Sequence, residues 1–121
     1  MNDKEQVLDA LSRSQCAALV EYARAVAAFS LGLSPAPLPP QGPSGLAGAI
    51  VRLRRGGRES GFVGSLTARP IIEAVAIAAR LAATEDARYD PRSSEGELDA
   101  SVWLVGPVAP DGLLLTRPSR Q

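Results

Sequence analysis

Histidine is absent from this 121-residue sequence, and cysteine and aromatic residues are scarce. Without histidine the chain cannot form Ser-His-Asp or Cys-His catalytic groups, and it lacks the commonest transition-metal ligand. One cysteine excludes a disulfide within the chain. Two phenylalanines, two tyrosines and one tryptophan are few for a single-stranded nucleic-acid platform, which stacks bases on several clustered rings. We therefore expect no metal site and no cofactor.

An excess of either charge is also absent, because 13 basic side chains balance 13 acidic ones. No global field attracts nucleic acid or acidic lipid. The charged stretch Met1–Gln6 has no apolar core of the kind that signal peptides carry, and no apolar run approaches membrane-spanning length. We expect a cytoplasmic protein with one domain over residues 1–121.

The first half of the chain predicts a helix followed by a stiff connector. Ser12-Arg-Ser-Gln15 fits a capping box, which predicts a helix over residues 12–31. Apolar residues at helical spacing suggest its buried stripe: Leu19, Tyr22, Val26 and Phe29. Residues 33–45 are rich in proline and glycine and can be neither helix nor central strand. We favour a connector there over the alternative, a polyproline ligand for an aromatic groove.

A hairpin is predicted over residues 47–66. Its first run alternates between two faces: Ala49, Val51 and Leu53 on one, Ile50, Arg52 and Arg54 on the other. Gly56 and Gly57 supply the reversal. In the return run, Gly61 and Gly64 indicate either a bulge or the close approach of another backbone or a ligand.

Four arginines gather near the tip of this hairpin: Arg52, Arg54, Arg55 and Arg58. They could contact phosphate or nucleic acid. They could equally form a solvated face that discourages pairing between sheet edges. Because the chain has no basic excess, we favour the solvated face.

The second half predicts a helix over residues 70–84 and a strand over residues 97–105. A turn is expected at residues 67–70, with Pro70 at the first helical position. The alanine-rich helix suits close packing on a sheet. Prolines after residue 105 should stop the strand, and a short edge strand is expected at residues 113–115. The whole pattern predicts an α+β fold, in which two main helices pack on a small antiparallel sheet of three to four strands.

A polar connector separates that helix from the strand. Its acids could hold Mg²⁺ through waters. We favour instead a salt-bridged loop, in which Arg88 pairs with Asp86 or Asp90 and Tyr89 acts as an anchor.

Two stretches resemble signatures of the AMMECR-type domain family. Gly61-Phe-Val-Gly-Ser-Leu66 is similar to the family's Leu-Arg-Gly-Cys-Ile-Gly-Ser/Thr-Leu motif, and Asp86-Ala-Arg-Tyr-Asp-Pro91 is similar to its Asp-Pro-Arg-Phe-x-Pro loop. The chain departs from the motif at Phe62, which stands where the family has cysteine, so chemistry of that thiol is absent here. The positions of this motif and loop form the possible binding site that the resemblance implies: Gly61, Phe62, Val63, Gly64, Ser65, Asp86, Arg88 and Tyr89.

The resemblance also implies partners. It runs from residue 11 to residue 107, and the family continues beyond this point, so we expect a shortened domain with an uncovered sheet edge. Such a domain should work as a homo-oligomer or with a protein partner. Family members are often encoded beside a Memo-type protein and a radical-SAM protein, which makes these systems the candidate partners.

Three functions remain open. The first is a non-catalytic binding or assembly module that uses the hairpin face. The second is an enzymatic or small-ligand site beside the two strand glycines, with these candidate groups: Arg58, Ser60, Ser65, Glu73, Asp86 and Arg88. The third is a nucleic-acid contact through the arginines of residues 52–58. We favour the first because the sequence has few residues suited to catalysis, with no histidine and one cysteine.

Overall fold

Four antiparallel strands form one sheet, and two helices cover one of its faces. A computed structural model describes residues 11–89, 96–109 and 112–116. In chain order the elements are α1 (Arg13–Ser30), β1 (Leu46–Arg55), β2 (Arg58–Pro70), α2 (Ile71–Thr84), β3 (Leu98–Ala109) and β4 (Gly112–Thr116). The strand order is β2-β1-β3-β4. The expected α+β fold is confirmed. Neither helix has the length and apolar character needed to cross a membrane.

Helix α1 begins at the predicted capping box. The Ser12 hydroxyl accepts a hydrogen bond from the Gln15 backbone N–H at 3.1 Å, and Gln15 Oε1 accepts one from the Ser12 N–H at 2.9 Å. The predicted apolar stripe is wrong in part, because only Leu19 among its members is buried and Phe29 is 50% exposed. Small side chains dominate the buried face: Cys16, Leu19, Val20, Ala23, Ala27 and Ala28. They bring the helix close to its neighbours, which leaves the bulky residues at its sides.

The core lies between the sheet and the helices. β1 pairs with β2 on one side and with β3 on the other, so it is central in the sheet. Its alternation is as predicted, with Val51 and Leu53 facing the core at 0% and 1% exposure. On β3, Val102 and Leu104 are fully enclosed on the same side. Burying a side chain of this size is worth about 1.5–3 kcal/mol.

Two predicted strand ends are wrong. Residues 67–70 are not a turn, because β2 continues to Pro70, which acts as the N-cap of α2 instead of its first residue. The extra length is taken up by a shift in register between Ala47 and Ala49 of β1. Likewise, β3 passes Pro107 and reaches Ala109. The pairing of β3 with β4 shifts in register between Val105 and Val108, so Pro107 lies at an irregularity. Proline is tolerated at such a position because it has no backbone N–H to donate to a neighbouring strand.

At Gly61 the backbone of α2 comes very close to the backbone of β2. A Cβ on Gly61 would lie 2.0 Å from the carbonyl oxygen of Ala82 and 2.8 Å from its carbonyl carbon. The ladder also shifts beside it, between Leu53 and Arg54. Both explanations that the sequence left open therefore apply at Gly61: a bulge lies next to it, and another backbone crosses it.

Replacing Gly61 by alanine should lower the free energy of unfolding by about 1–3 kcal/mol, the usual cost of an extra methyl group in a filled interior. The methyl group would meet a backbone carbonyl, which cannot turn aside, so α2 must move as a whole. Urea denaturation followed by circular dichroism measures the loss.

Gly42→Ala is the matched control. A Cβ on Gly42 would lie 2.2 Å from Cδ1 and 2.6 Å from Cγ1 of Ile72, so a single half-buried side chain must shift and no backbone has to move. We expect a smaller loss of unfolding free energy than in Gly61→Ala. Equal losses in the two variants would contradict the role of the backbone crossing at Gly61.

Candidate functional site

An aromatic and arginine cluster lies on the sheet side that faces away from the helices, which we call the open face. Phe62 of β2 stacks on Trp103 of β3, with ring centroids 5.8 Å apart and planes inclined by 24°. The guanidinium of Arg52 lies over the Phe62 ring at 5.1 Å. The register brings them together, because Arg52 pairs with Phe62 and its neighbour Ile50 pairs with Trp103. All four side chains are partly exposed.

Glu59 joins this cluster to the loop that follows α2. Arg52 Nε lies 2.7 Å from Glu59 Oε1, although it makes no directed hydrogen bond. The Tyr89 hydroxyl donates to Glu59 Oε2 at 2.5 Å. This hydrogen bond from Tyr89, and then the positive charge of Arg52, lower the pKa of Glu59. The same hydrogen bond raises the pKa of Tyr89, because its proton is held by the carboxylate.

Asp86 and Arg88 cap the outer edge of β2, which is an edge strand of the sheet. Asp86 Oδ2 accepts a hydrogen bond from the Phe62 N–H at 2.9 Å. Arg88 Nη2 donates to the Phe62 carbonyl at 2.9 Å. The carboxylate and guanidinium thus replace the carbonyl and N–H that a further strand would offer. We call these two side chains and the Phe62 backbone the edge cap; it closes a site where another strand could pair.

The edge cap contains the predicted ion pair. Arg88 donates to both Asp86 oxygens, from Nη2 at 2.7 Å and from Nε at 3.0 Å. The Asp86 side chain is only 6% exposed, whereas that of Arg88 is 61% exposed. Hydrogen bonding by Arg88, followed by that of the Phe62 N–H, holds the pKa of Asp86 far below its usual value, and Asp86 raises the pKa of Arg88. Asp90, the other predicted partner, lies outside the described residues.

The remaining motif residues of β2 have packing and hydrogen-bonding roles. Val63 packs against the core. Gly64 leaves room for Ile50, because a Cβ there would lie 2.4 Å from Cγ1 of Ile50. The Ser65 hydroxyl accepts a hydrogen bond from the Thr67 N–H at 3.3 Å.

The structure does not bring the four tip arginines into one basic patch. Arg52 lies inside the aromatic cluster and pairs with Glu59. Arg55 Nε lies 3.5 Å from the Gly96 carbonyl. Arg54 and Arg58 are exposed, and Arg54 stands opposite an acid, Asp99, on β3.

The acids of the site are poorly suited to proton transfer. Asp86 and Glu59 both have lowered pKa values, so each stays ionised near neutral pH and is a weak general base. Among the other groups considered for an enzymatic site, Arg58 and Glu73 are exposed. Within the described part of the chain, no three acidic or cysteine side chains lie together as metal ligands.

Sequence reasoning missed two members of the cluster, Glu59 and Trp103. Arg52 was expected on the side of β1 that faces away from the core, and in the structure Trp103 lies on the corresponding side of β3. Only the register shows that both meet Phe62. The spacing of Asp86 and Arg88 indicated their pairing but did not reveal that they bind the backbone of β2.

Comparison with known proteins shows the fold and nothing more specific. No family model matches the sequence, and no curated protein matches it. Among solved structures, the chain is similar to the crystal structure of the uncharacterized protein PH0010 from Pyrococcus horikoshii, with a TM-score of 0.63 and 22% identity. The match covers 80% of this chain and 54% of that one, so the chain spans about half the length of its neighbour.

Asp86→Asn should lower the free energy of unfolding by about 1–3 kcal/mol, because it weakens hydrogen bonds of a charged, enclosed group to Arg88 and the Phe62 N–H. Glu85→Gln is the control, since Glu85 is exposed and should change stability by less than about 0.5 kcal/mol. Urea denaturation compares the two. Equal effects would show that the edge cap contributes nothing beyond surface charge.

The edge cap also predicts acid sensitivity. A lowered pKa means that folded Asp86 holds its proton less tightly than the unfolded chain does. Its contribution is therefore present above the ordinary pKa of about 4 and is lost as the pH falls below it. Unfolding free energy should change little from pH 7 to pH 5 and then fall toward pH 3, less steeply in Asp86→Asn. Parallel pH profiles for the two proteins would contradict this.

Proposed function

We propose that this protein is a non-catalytic binding module that self-associates through its open face. The observation that carries the proposal is the partly exposed stack of Phe62 and Trp103 under Arg52. The resemblance to AMMECR-type domains, whose motif position Phe62 lies on this face, supports the same idea. We also propose a cytoplasmic location.

The composition of the open face suits a protein contact. Aromatic side chains and arginine are enriched at the centres of protein interfaces, where large rigid groups bury area at low entropic cost. Ile50 adds an aliphatic side chain beside the two rings. The ring stack is already held in place by its neighbours, so little side-chain freedom remains to be lost on binding.

The charges of this face favour a second copy of the chain as the partner. Arg52 is neutralised by Glu59, and Arg54 lies opposite Asp99. Because these four residues carry two charges of each sign, two copies can meet here without net repulsion and can exchange ion pairs across a twofold axis. The edge cap blocks pairing at the Phe62 edge of β2. Contact through the face is therefore favoured over edge-to-edge pairing at that position.

Phe62→Ser should weaken self-association at least about tenfold, which corresponds to about 1.4 kcal/mol. Leu38→Ser is the control, because Leu38 is 90% exposed but lies on the proline-rich segment outside this face. Sedimentation equilibrium over a range of concentrations measures both variants beside the natural protein, and circular dichroism verifies that each variant is folded.

Trp103→Ser gives a second measurement if Phe62→Ser does not fold. Self-association that both folded variants retain in full would remove the open face from the interface. A natural chain that remains monomeric up to high micromolar concentration would overturn the proposal.

A further inference from the structure

A second candidate site lies on the helix side of the sheet, opposite the open face. There α1, α2 and the proline-rich segment line an open groove of about 270 Å³. Val26 and Phe29 of α1 line one wall, and Ala76 and Ile77 of α2 line the other. Val26 and Phe29 are among the bulkier residues that the close packing of α1 leaves at its side. The groove shares no residue with the open face, so this inference is independent of the proposed self-association.

The size of the groove limits its ligand. At about 30 Å³ for each water-sized group, the volume accepts about nine non-hydrogen atoms. This lies just below the range of pockets for drug-sized molecules. A chain of about eight carbons would fill it.

The polar groups of the groove specify the charge of that ligand. Arg80 and Tyr22 both line it. Among the described residues, neither the guanidinium nor the phenol has a hydrogen-bond or ion-pair partner. No carboxylate from the part of the chain that the structure describes lines the groove. It thus offers a permanent positive charge and a second donor, while its walls are apolar, a combination that favours an anionic head on an apolar chain.

We infer that the groove binds a medium-chain monocarboxylic acid, with its chain between Phe29 and Ile77 and its carboxylate at Arg80. A guanidinium suits this head group because it can donate two parallel hydrogen bonds to a carboxylate. The contact of the chain with both helices supplies affinity, and Arg80 supplies the preference for the anion.

Octanoate, octylamine and octanol, added separately to the full chain labelled with ¹⁵N, test this inference. Octanoate should shift the amide signals of residues 76–80 with saturation. Octanol should bind at least fivefold more weakly than octanoate, and octylamine should bind more weakly still. Signals of Phe62 and Trp103 on the open face should remain unchanged, which separates this site from the proposed interface.

Arg80→Gln should weaken octanoate binding at least fivefold and reduce the difference between octanoate and octanol. Arg58→Gln is the control, because Arg58 is also an exposed arginine but lies at the hairpin tip. Ala76→Leu should abolish binding by filling the groove, and it keeps a good helix former in α2.

Equal binding of octanoate and octylamine would overturn the inference, as would shifts confined to residues outside the groove. Equal weakening by Arg80→Gln and Arg58→Gln would assign the effect to general charge attraction and would also overturn it. Absence of any saturable shift with the natural chain would rule out the site directly.

Discussion

The close approach of α2 to β2 is the constraint on which the rest of the structure depends. The Ala82 carbonyl lies where a side chain on Gly61 would be, so the helix can come this near only because Gly61 has none. The alanines of α2 then lie flat on the sheet, with Ala78 and Ala79 fully enclosed. α1 follows the same rule through Ala23 and Ala27. Small residues in the centre leave bulky ones at the sides, and this distribution produces the groove between the helices.

The same contact determines where the edge cap forms. Asp86 comes four residues after Ala82, and Phe62 directly follows Gly61. Anchoring Ala82 over Gly61 therefore delivers Asp86 to the exposed edge of β2 beside the Phe62 N–H. With that edge closed by a carboxylate and a guanidinium, the Phe62 ring lies on the open face, where it stacks on Trp103. One backbone contact thus connects the core, the protected edge and the surface proposed for self-association.

Features that depend on near neighbours in sequence could be predicted. The hydrogen bonds of Ser12 and Gln15 span three residues, and the pairing of Asp86 with Arg88 spans two. The alternation of β1 likewise identified the side that faces the core. Features that depend on register could not be predicted, because an irregularity in one strand is defined only against its partner. This is why the end of β2 and the passage of β3 through Pro107 differed from expectation.

By itself, the sequence determined the two helices, the central hairpin and the α+β class, since capping, helical spacing and strand alternation are local properties. The tertiary structure decided which side chains meet. It placed Glu59 and Trp103 with Phe62, and it moved Phe29 from the expected core to the rim of a groove. The physical reason is distance: the strand register and the separation between helix and sheet arise from contacts between residues far apart in the chain, so no local pattern encodes them.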